Sequence, residues 1–280
     1  MKRGYGYSAA ARVVDTVGHV VGRRQVVRAA RFALNRARLD LPNNATSNGE
    51  YALQRWLLAS IPLGRGVTAL DVGANIGEWS HAMLSQARHS GHAEDLALHV
   101  FEPASATGDI LVERLAHHAR INRVAVSDEA GRATLRLVGA GAGTNSLYGT
   151  AQDTELVETT TIDGYVRANG IERVDLLKVD TEGHDYLVLL GAERLFRERR
   201  IGVVQFEYNH RWILARHFLK DVFDLVEPYG YRVGKVTPRG VESYPHWDPE
   251  LESFIEGNYV AYAADVSRWL PQIFWWKRPV

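Results

Sequence analysis

Four acids each close an apolar run: Asp71 after Val67–Leu70, Glu102 after Leu96–Phe101, Asp180 after Val174–Val179 and Glu207 after Ile201–Phe206. Beyond Asp71 the chain reads Val72-Gly73-Ala74-Asn75-Ile76-Gly77-Glu78. A glycine-bounded turn between a strand and a helix lets bare backbone approach a ligand, and the helix start adds unpaired N–H groups. The spacing is not that of a dinucleotide turn, and the acid precedes the first glycine. That favours a ligand carrying an ammonium group over one carrying a pyrophosphate, and so S-adenosylmethionine before a nicotinamide. Glu102 falls where an acid at the end of the next strand grips a ribose diol. Ser127-Asp128 falls at the end of a third strand, where an adenine edge would lie.

Lys178, Asp180, Glu182 and His184 crowd one strand end, and Glu207, Asn209 and His210 follow the next. Methyl transfer to a hydroxyl needs a base, or a cation that lowers the hydroxyl pKa, and in-line positioning. His184, His210 or a carboxylate suits the first. Asp180 and Glu207, with a nearby histidine, suit a divalent site for Mg²⁺ or another cation. Base and metal stay open as alternatives. Taken singly, each histidine is an ordinary cap or surface residue, and Glu182 a first-turn acid favoured by the helix dipole. Tyr208, Trp212, Tyr244, Trp247 and Trp275-Trp276 line a sugar or polyketide pocket or else fill the core.

Elements must bring these residues together. The pattern predicts strands over 67–71, 96–101, 122–126, 174–180, 201–207, 231–235 and 258–263, with peripheral β-prone runs at 133–138 and 158–161. Helices are expected over 50–60, from the glycine turn to about Arg88, over 110–118, from Ile162, from His184 to about Phe196, and over 218–227. Alternation of this kind gives a mostly parallel sheet with helices on both faces, whose strand carboxyl ends line one crevice. The closely spaced late strands suit an antiparallel edge. The Gly139–Gly149 stretch is a loop able to order over a substrate.

The 280 residues hold 33 Lys plus Arg against 33 Asp plus Glu, 46% apolar residues and no cysteine. Disulfides and thiolate chemistry are excluded. The even charge balance disfavours nucleic acid as the main partner. With no apolar run of membrane-spanning length and no signal pattern, a cytoplasmic protein is expected. Residues 1–45 form a basic helical arm, 46–265 the cofactor-binding domain and 266–280 an aromatic tail. Valines 13, 14, 17, 20 and 21 recur at helical spacing among arginines. Such an arm suits packing on the domain or on a second copy in a homo-oligomer, or peripheral contact with an anionic membrane.

Leu70-DVGANIG-Glu78, Val100-FEP-Ala104, Asn122–Asp128, Thr160-TIDGY-Val166, Leu177-KVDTEGHDYLVLLGA-Ala192 and Gln205–His210 together resemble the FkbM-type methyltransferases. The resemblance spans about residues 48–265 and departs at Gly164, where the family often has a second Asp. It implies a Rossmann-like class I fold with a seven-stranded sheet and S-adenosylmethionine as cofactor. It further implies O-methylation of a sugar, glycoside or macrocyclic secondary metabolite. By the same resemblance Asp71, Gly73, Asn75, Gly77 and Glu102 hold the cofactor, and Asp180, Glu182 and His184 lie at the methyl-transfer end. The rivals are a nicotinamide-dependent oxidoreductase on the same sheet and a non-catalytic module docking through its basic arm.

Overall fold

The computed structural model describes residues 4–40, 43–148 and 150–274. The chain divides into two units, Met1–Pro42 and Asn43–Val280. The first is a pair of helices, α1 (Gly4–Val21) and α2 (Arg23–Ala37), joined at Gly22 with φ 89°. No residue of α2 is buried. Among the described residues no helix is long and apolar enough to cross a membrane.

The second unit opens with α3 (Glu50–Ser60), which stops where Ile61 turns extended before Pro62. Then follow β1 (Val67–Val72), α4 (Glu78–Ser90), β2 (Leu96–Phe101), α5 (Ser105–Leu115) and β3 (Arg120–Asn122). Three strands of a separate small sheet come next: β4 (Ala125–Val126), β5 (Gly131–Arg136) and β6 (Thr154–Thr160). The main sheet resumes with α6 (Ile162–Ala168), β7 (Val174–Val179), α7 (Asp185–Leu190) and β8 (Ile201–Tyr208). It ends with β9 (Tyr231–Thr237), β10 (Gly240–Tyr244), β11 (Gly257–Ala263) and β12 (Gln272–Ile273).

The main sheet runs β12-β10-β9-β11-β8-β7-β1-β2-β3. From β3 to β8 every pairing is parallel, and β11 inserts antiparallel between β8 and β9. This is the class I methyltransferase arrangement. Every residue of β7 and β8 is buried, as a parallel strand covered on both faces requires. The chain leaves β1 for β2 on one side, and β7 flanks it on the other. The crevice of this sheet therefore opens at the carboxyl ends of β1 and β7.

The expected seven strands became nine because a hairpin adds β10 and the chain returns to pair β12 beside it. The expected 122–126 strand is split. The chain leaves the main sheet at Asn122, and Ala125–Val126 pairs with β6 instead. Ala104, Ala125, Leu135 and Val157 give the small sheet its own core. The expected helix from His184 to Phe196 is likewise two, α7 and Glu193–Arg197, broken around Gly191. A Cβ at Gly191 would lie 2.1 Å from the Ser127 carbonyl oxygen, so the helix passes the small sheet only through glycine.

Candidate active site

The turn after β1 is built on positive φ angles: Gly73 at 77°, Asn75 at 50° and Gly77 at 82°. A Cβ at Gly73 would sit 1.9 Å from the Asp180 carbonyl oxygen, and one at Gly77 would meet Leu115 and Leu111 within 3 Å. Glycine at both positions therefore lets the turn press against the end of β7 and against α5. The Gly73 and Ala74 N–H groups donate to the Phe101 carbonyl at 3.1 and 3.0 Å, tying the turn to the end of β2.

Glu102 completes the tie. Its carboxylate accepts from the Asn75 N–H at 3.0 Å and the Ala104 N–H at 2.9 Å. Burial raises its pKa against the pull of those two bonds. Each oxygen keeps a further acceptor site, which is what two neighbouring hydroxyls require. A cavity lined by Gly73, Asn75, Glu102, Val124 and Val126 continues to Asp180, Glu182 and His184.

Asp71 is elsewhere. It has no exposed surface, accepts from the Ser80 hydroxyl at 2.6 Å and lies 3.6 Å from the Lys178 ammonium. It is absent from the cavity lining, so the expected direct grip on a cofactor ammonium is replaced by a grip on Lys178. The reason is its register: Asp71 pairs with Lys178 across β1 and β7, two residues before Gly73. Burial raises the Asp71 carboxyl pKa, while Lys178 and Ser80 oppose it. Burial also works against the Lys178 charge, but Asp180, Asp71 and Glu50 outweigh it and hold the ammonium pKa above its usual range. Lys178 donates to Asp180 at 3.2 Å. Asp180 thus faces the crevice with a buried cation behind it.

Ser127 and Asp128 do not line the adenosine end as expected. Because the chain has left the main sheet, Ser127 points to His184. The Ser127 hydroxyl donates to Asp128 at 2.8 Å and meets His184 Nε2 at 2.9 Å. A hydroxyl whose proton is given to Asp128 accepts from Nε2, so the proton of neutral His184 sits on Nε2. Nδ1 is then a bare lone pair, and it is buried with no hydrogen-bond partner. Burial pushes the imidazole pKa down to about 4, partly opposed by Asp128.

Glu182 follows with φ 58°, a strained conformation for a side chain of its size. Its carbonyl accepts from the Ser146 hydroxyl at 2.9 Å, and its carboxylate lies 2.8 Å from Arg211. Burial, with Asp180 adding and Arg211 opposing, pushes its pKa up to about 8. Asp185, wholly buried and bonded to the Thr181 and Gly183 N–H groups, is pushed up to about 7 by burial and Asp180. His210 is exposed and lines a separate outer groove with Arg136, Tyr148, Glu182 and Arg211. The structure does not bring it to His184.

The expected Asp180–Glu207 divalent site is not assembled. Among the described residues no three His, Asp or Glu side chains gather as a metal site. Glu207 instead accepts from Asn43 at 3.1 Å and Asn209 at 2.5 Å, and burial with the nearby acids raises its pKa well above the usual range. Tyr208, Trp212 and Tyr244 are buried core, not pocket wall, and Trp247 is half-buried against that core. Trp275-Trp276 lies outside the described residues.

The polar 43–49 stretch holds residues near the site to which the sequence pattern assigned no role. Asn43 reaches Glu207, while Asn48 and Gln205 both donate to Glu50 at 2.8 Å. The run of asparagines before a helix that opens on Glu50 was the available signal. A second chamber beyond Gly73 is lined by Asn43, Glu50, Tyr51, Glu78, Lys178 and Asp180.

A family model described as the methyltransferase FkbM domain matches residues 71–233, more than half of the chain. The chain belongs to that family. No curated protein matches it. Solved structures of similar arrangement include a TehB-like SAM-dependent methyltransferase from Corynebacterium glutamicum, 14% identical over 85% of this chain and 98% of that one, TM-score 0.39. A precorrin-6y C5,15-methyltransferase from Geobacter metallireducens is 11% identical over 76% and 87%, TM-score 0.40. A protein described as an RNA methyltransferase from Pyrococcus horikoshii is 14% identical over 76% and 81%, TM-score 0.36. Identities and scores this low carry no argument about substrate.

Proposed function

We propose that this member of the FkbM methyltransferase family methylates a hydroxyl of a sugar or natural-product acceptor, with His184 Nδ1 taking the hydroxyl proton. The observation that carries the reading is the unpartnered Nδ1 of His184, a residue of the cavity that Gly73, Asn75 and Glu102 also line.

The residues fit S-adenosylmethionine. Glu102 retains acceptor sites for the ribose diol, Val124 and Val126 give the adenine an apolar wall, and Asn75 Oδ1 is an unpartnered acceptor at the glycine turn. When bound, the cofactor supplies an electrophilic methyl group on a sulfonium. Asp180 and Glu182 lie at the far end of the same cavity, where acids favour a cation. Because the positive charge leaves sulfur during transfer, those acids serve binding more than barrier lowering.

A base with a pKa near 4 suffices here. As the acceptor oxygen gains its methyl group, its remaining proton becomes strongly acidic, and a neutral imidazole with a free lone pair removes it. Asp128 and Ser127 hold the ring in the required tautomer, as a third group orients the base in other acid–base sites. No step needs a metal ion. Family membership sets aside the nicotinamide-dependent alternative.

The test is incubation with methyl-labelled S-adenosylmethionine and a panel of glycosides and glycosylated macrocycles, read by mass spectrometry. Label on an ether oxygen supports the reading. Label on nitrogen or carbon alone sinks it.

A further inference from the structure

The outer groove lies next to the methyl-transfer end but is not part of the cofactor cavity. It shares Ser146 and Glu182 with that cavity, and the Tyr148 ring stands 5.6 Å from the His184 ring. Its charged walls are Arg136 and Arg211, with His210 beside them. Arg136 gives one N–H to the Ala151 carbonyl at 3.2 Å and has no carboxylate partner among the described residues. Among the described residues the carboxylate partner of Arg211 is Glu182, at 2.8 Å. The exposed side chains of Val138 and Leu214 add apolar rim.

We propose that this groove receives the acceptor through an anionic group, phosphoryl or carboxyl, held by Arg136 and Arg211, with the acceptor hydroxyl directed past Tyr148 to His184. The inference rests on the methyl-transfer reading above and names the substrate class for it. Three observations carry it. An arginine with free N–H groups beside a cavity mouth is a fork shaped for phosphate or carboxylate. Glu182 lies 2.8 Å from Arg211, which offsets its charge and leaves Arg136 to make the groove wall net positive. The chamber on the other side of Gly73 has Glu50, Glu78 and Asp180 in its walls, so an anion is drawn to one side of the site and turned away from the other.

The experiment is calorimetric titration of the protein, saturated with S-adenosylhomocysteine, by glucose 1-phosphate, glucuronate and methyl glucoside. The anionic probes are expected to bind at least about tenfold tighter than methyl glucoside, a difference of about 1.4 kcal/mol. Arg136→Gln should abolish that preference while Arg136→Lys restores part of it, with S-adenosylhomocysteine affinity unchanged in both. Which anion binds better separates phosphoryl from carboxyl. Equal binding of the neutral probe, no binding of any probe, or full preference in Arg136→Gln overturns the proposal and leaves the cofactor assignment standing. Absence of S-adenosylhomocysteine binding in the wild type takes down the methyl-transfer reading itself.

Discussion

Two spaces flank the cofactor cavity, one sharing Gly73 and Asp180 with it and the other Ser146 and Glu182, and their charges are handled in opposite ways. In the chamber bounded by Glu50, Glu78 and Asp180, the compensating cation is Lys178, which is 5% exposed and lies between Asp71 and Asp180. In the groove bounded by Arg136, His210 and Arg211, the one acid in contact is Glu182, which can relieve its burial by keeping a proton. A buried ion pair cannot relax in this way when one partner is lost, whereas a titrating carboxyl can. The first space is fixed by its charges; the second is free to exchange one partner for another. That difference suits a fixed wall on one side of the cofactor cavity and, on the other, a site where acceptors come and go.

The largest effect expected from breaking this contrast is on stability. Lys178→Met leaves Asp71 buried and unpaired, and should cost about 3–5 kcal/mol. Arg211→Gln leaves Glu182 free to protonate, and should cost less than about 1 kcal/mol. Urea unfolding of the two variants checks the pair, and equal losses would erase the distinction.

His184→Asn sharpens the contrast in rate. On an acceptor found by the labelled-methyl screen, kcat should fall by roughly 10²–10⁴-fold, the range for loss of a general base. S-adenosylhomocysteine affinity should stay within about threefold of wild type. Wild-type kcat should show no histidine limb between pH 8 and pH 5, and should fall as pH approaches 4, where burial places the imidazole pKa.

The smallest effect is in the pH dependence of stability. Glu182 has a folded pKa of about 8 against 4.5 for the free side chain. Its contribution is therefore full below pH 4.5 and is lost as pH rises through 8. His184, with a folded pKa of about 4 against 6.5, works in the other direction, and its contribution is lost as pH falls from 6.5 through 4. Glu182→Gln should flatten the decline of Tm between pH 4.5 and 8. A slope unchanged from wild type would show that Glu182 is not buried as described.

Local chemistry was legible in the sequence and distant pairing was not. The glycine turn, the strand-end acids and α3 follow from neighbours within a few residues, and each stands where its spacing put it. The antiparallel sense of the late strands was legible too, from their close spacing, although β11 sits between β8 and β9 and not at the edge. Ser127 and Asp128 were expected beside the adenine because an unbroken 122–126 strand would have carried them there. The Ser127–His184 bond joins residues 57 apart and depends on β4 leaving the main sheet. Asn43 and Glu207 are 164 residues apart, so the asparagines before Glu50 marked a helix start and not the strand end they cover. Asp71 shows a third kind of miss. Its residue type was right for a cofactor ammonium, but pairing across β1 and β7 hands it Lys178 first.

The cofactor seat is tested most directly by calorimetric titration with S-adenosylhomocysteine of the wild type and of Glu102→Ala, alongside NADH. Micromolar binding by the wild type, at least tenfold weaker binding by a folded Glu102→Ala protein and no response to NADH are the expected results, the tenfold loss being about the worth of a charge-assisted hydrogen bond. Full affinity in Glu102→Ala, or tight NADH binding with none for S-adenosylhomocysteine, would contradict the placement of the cofactor along the glycine turn and β2.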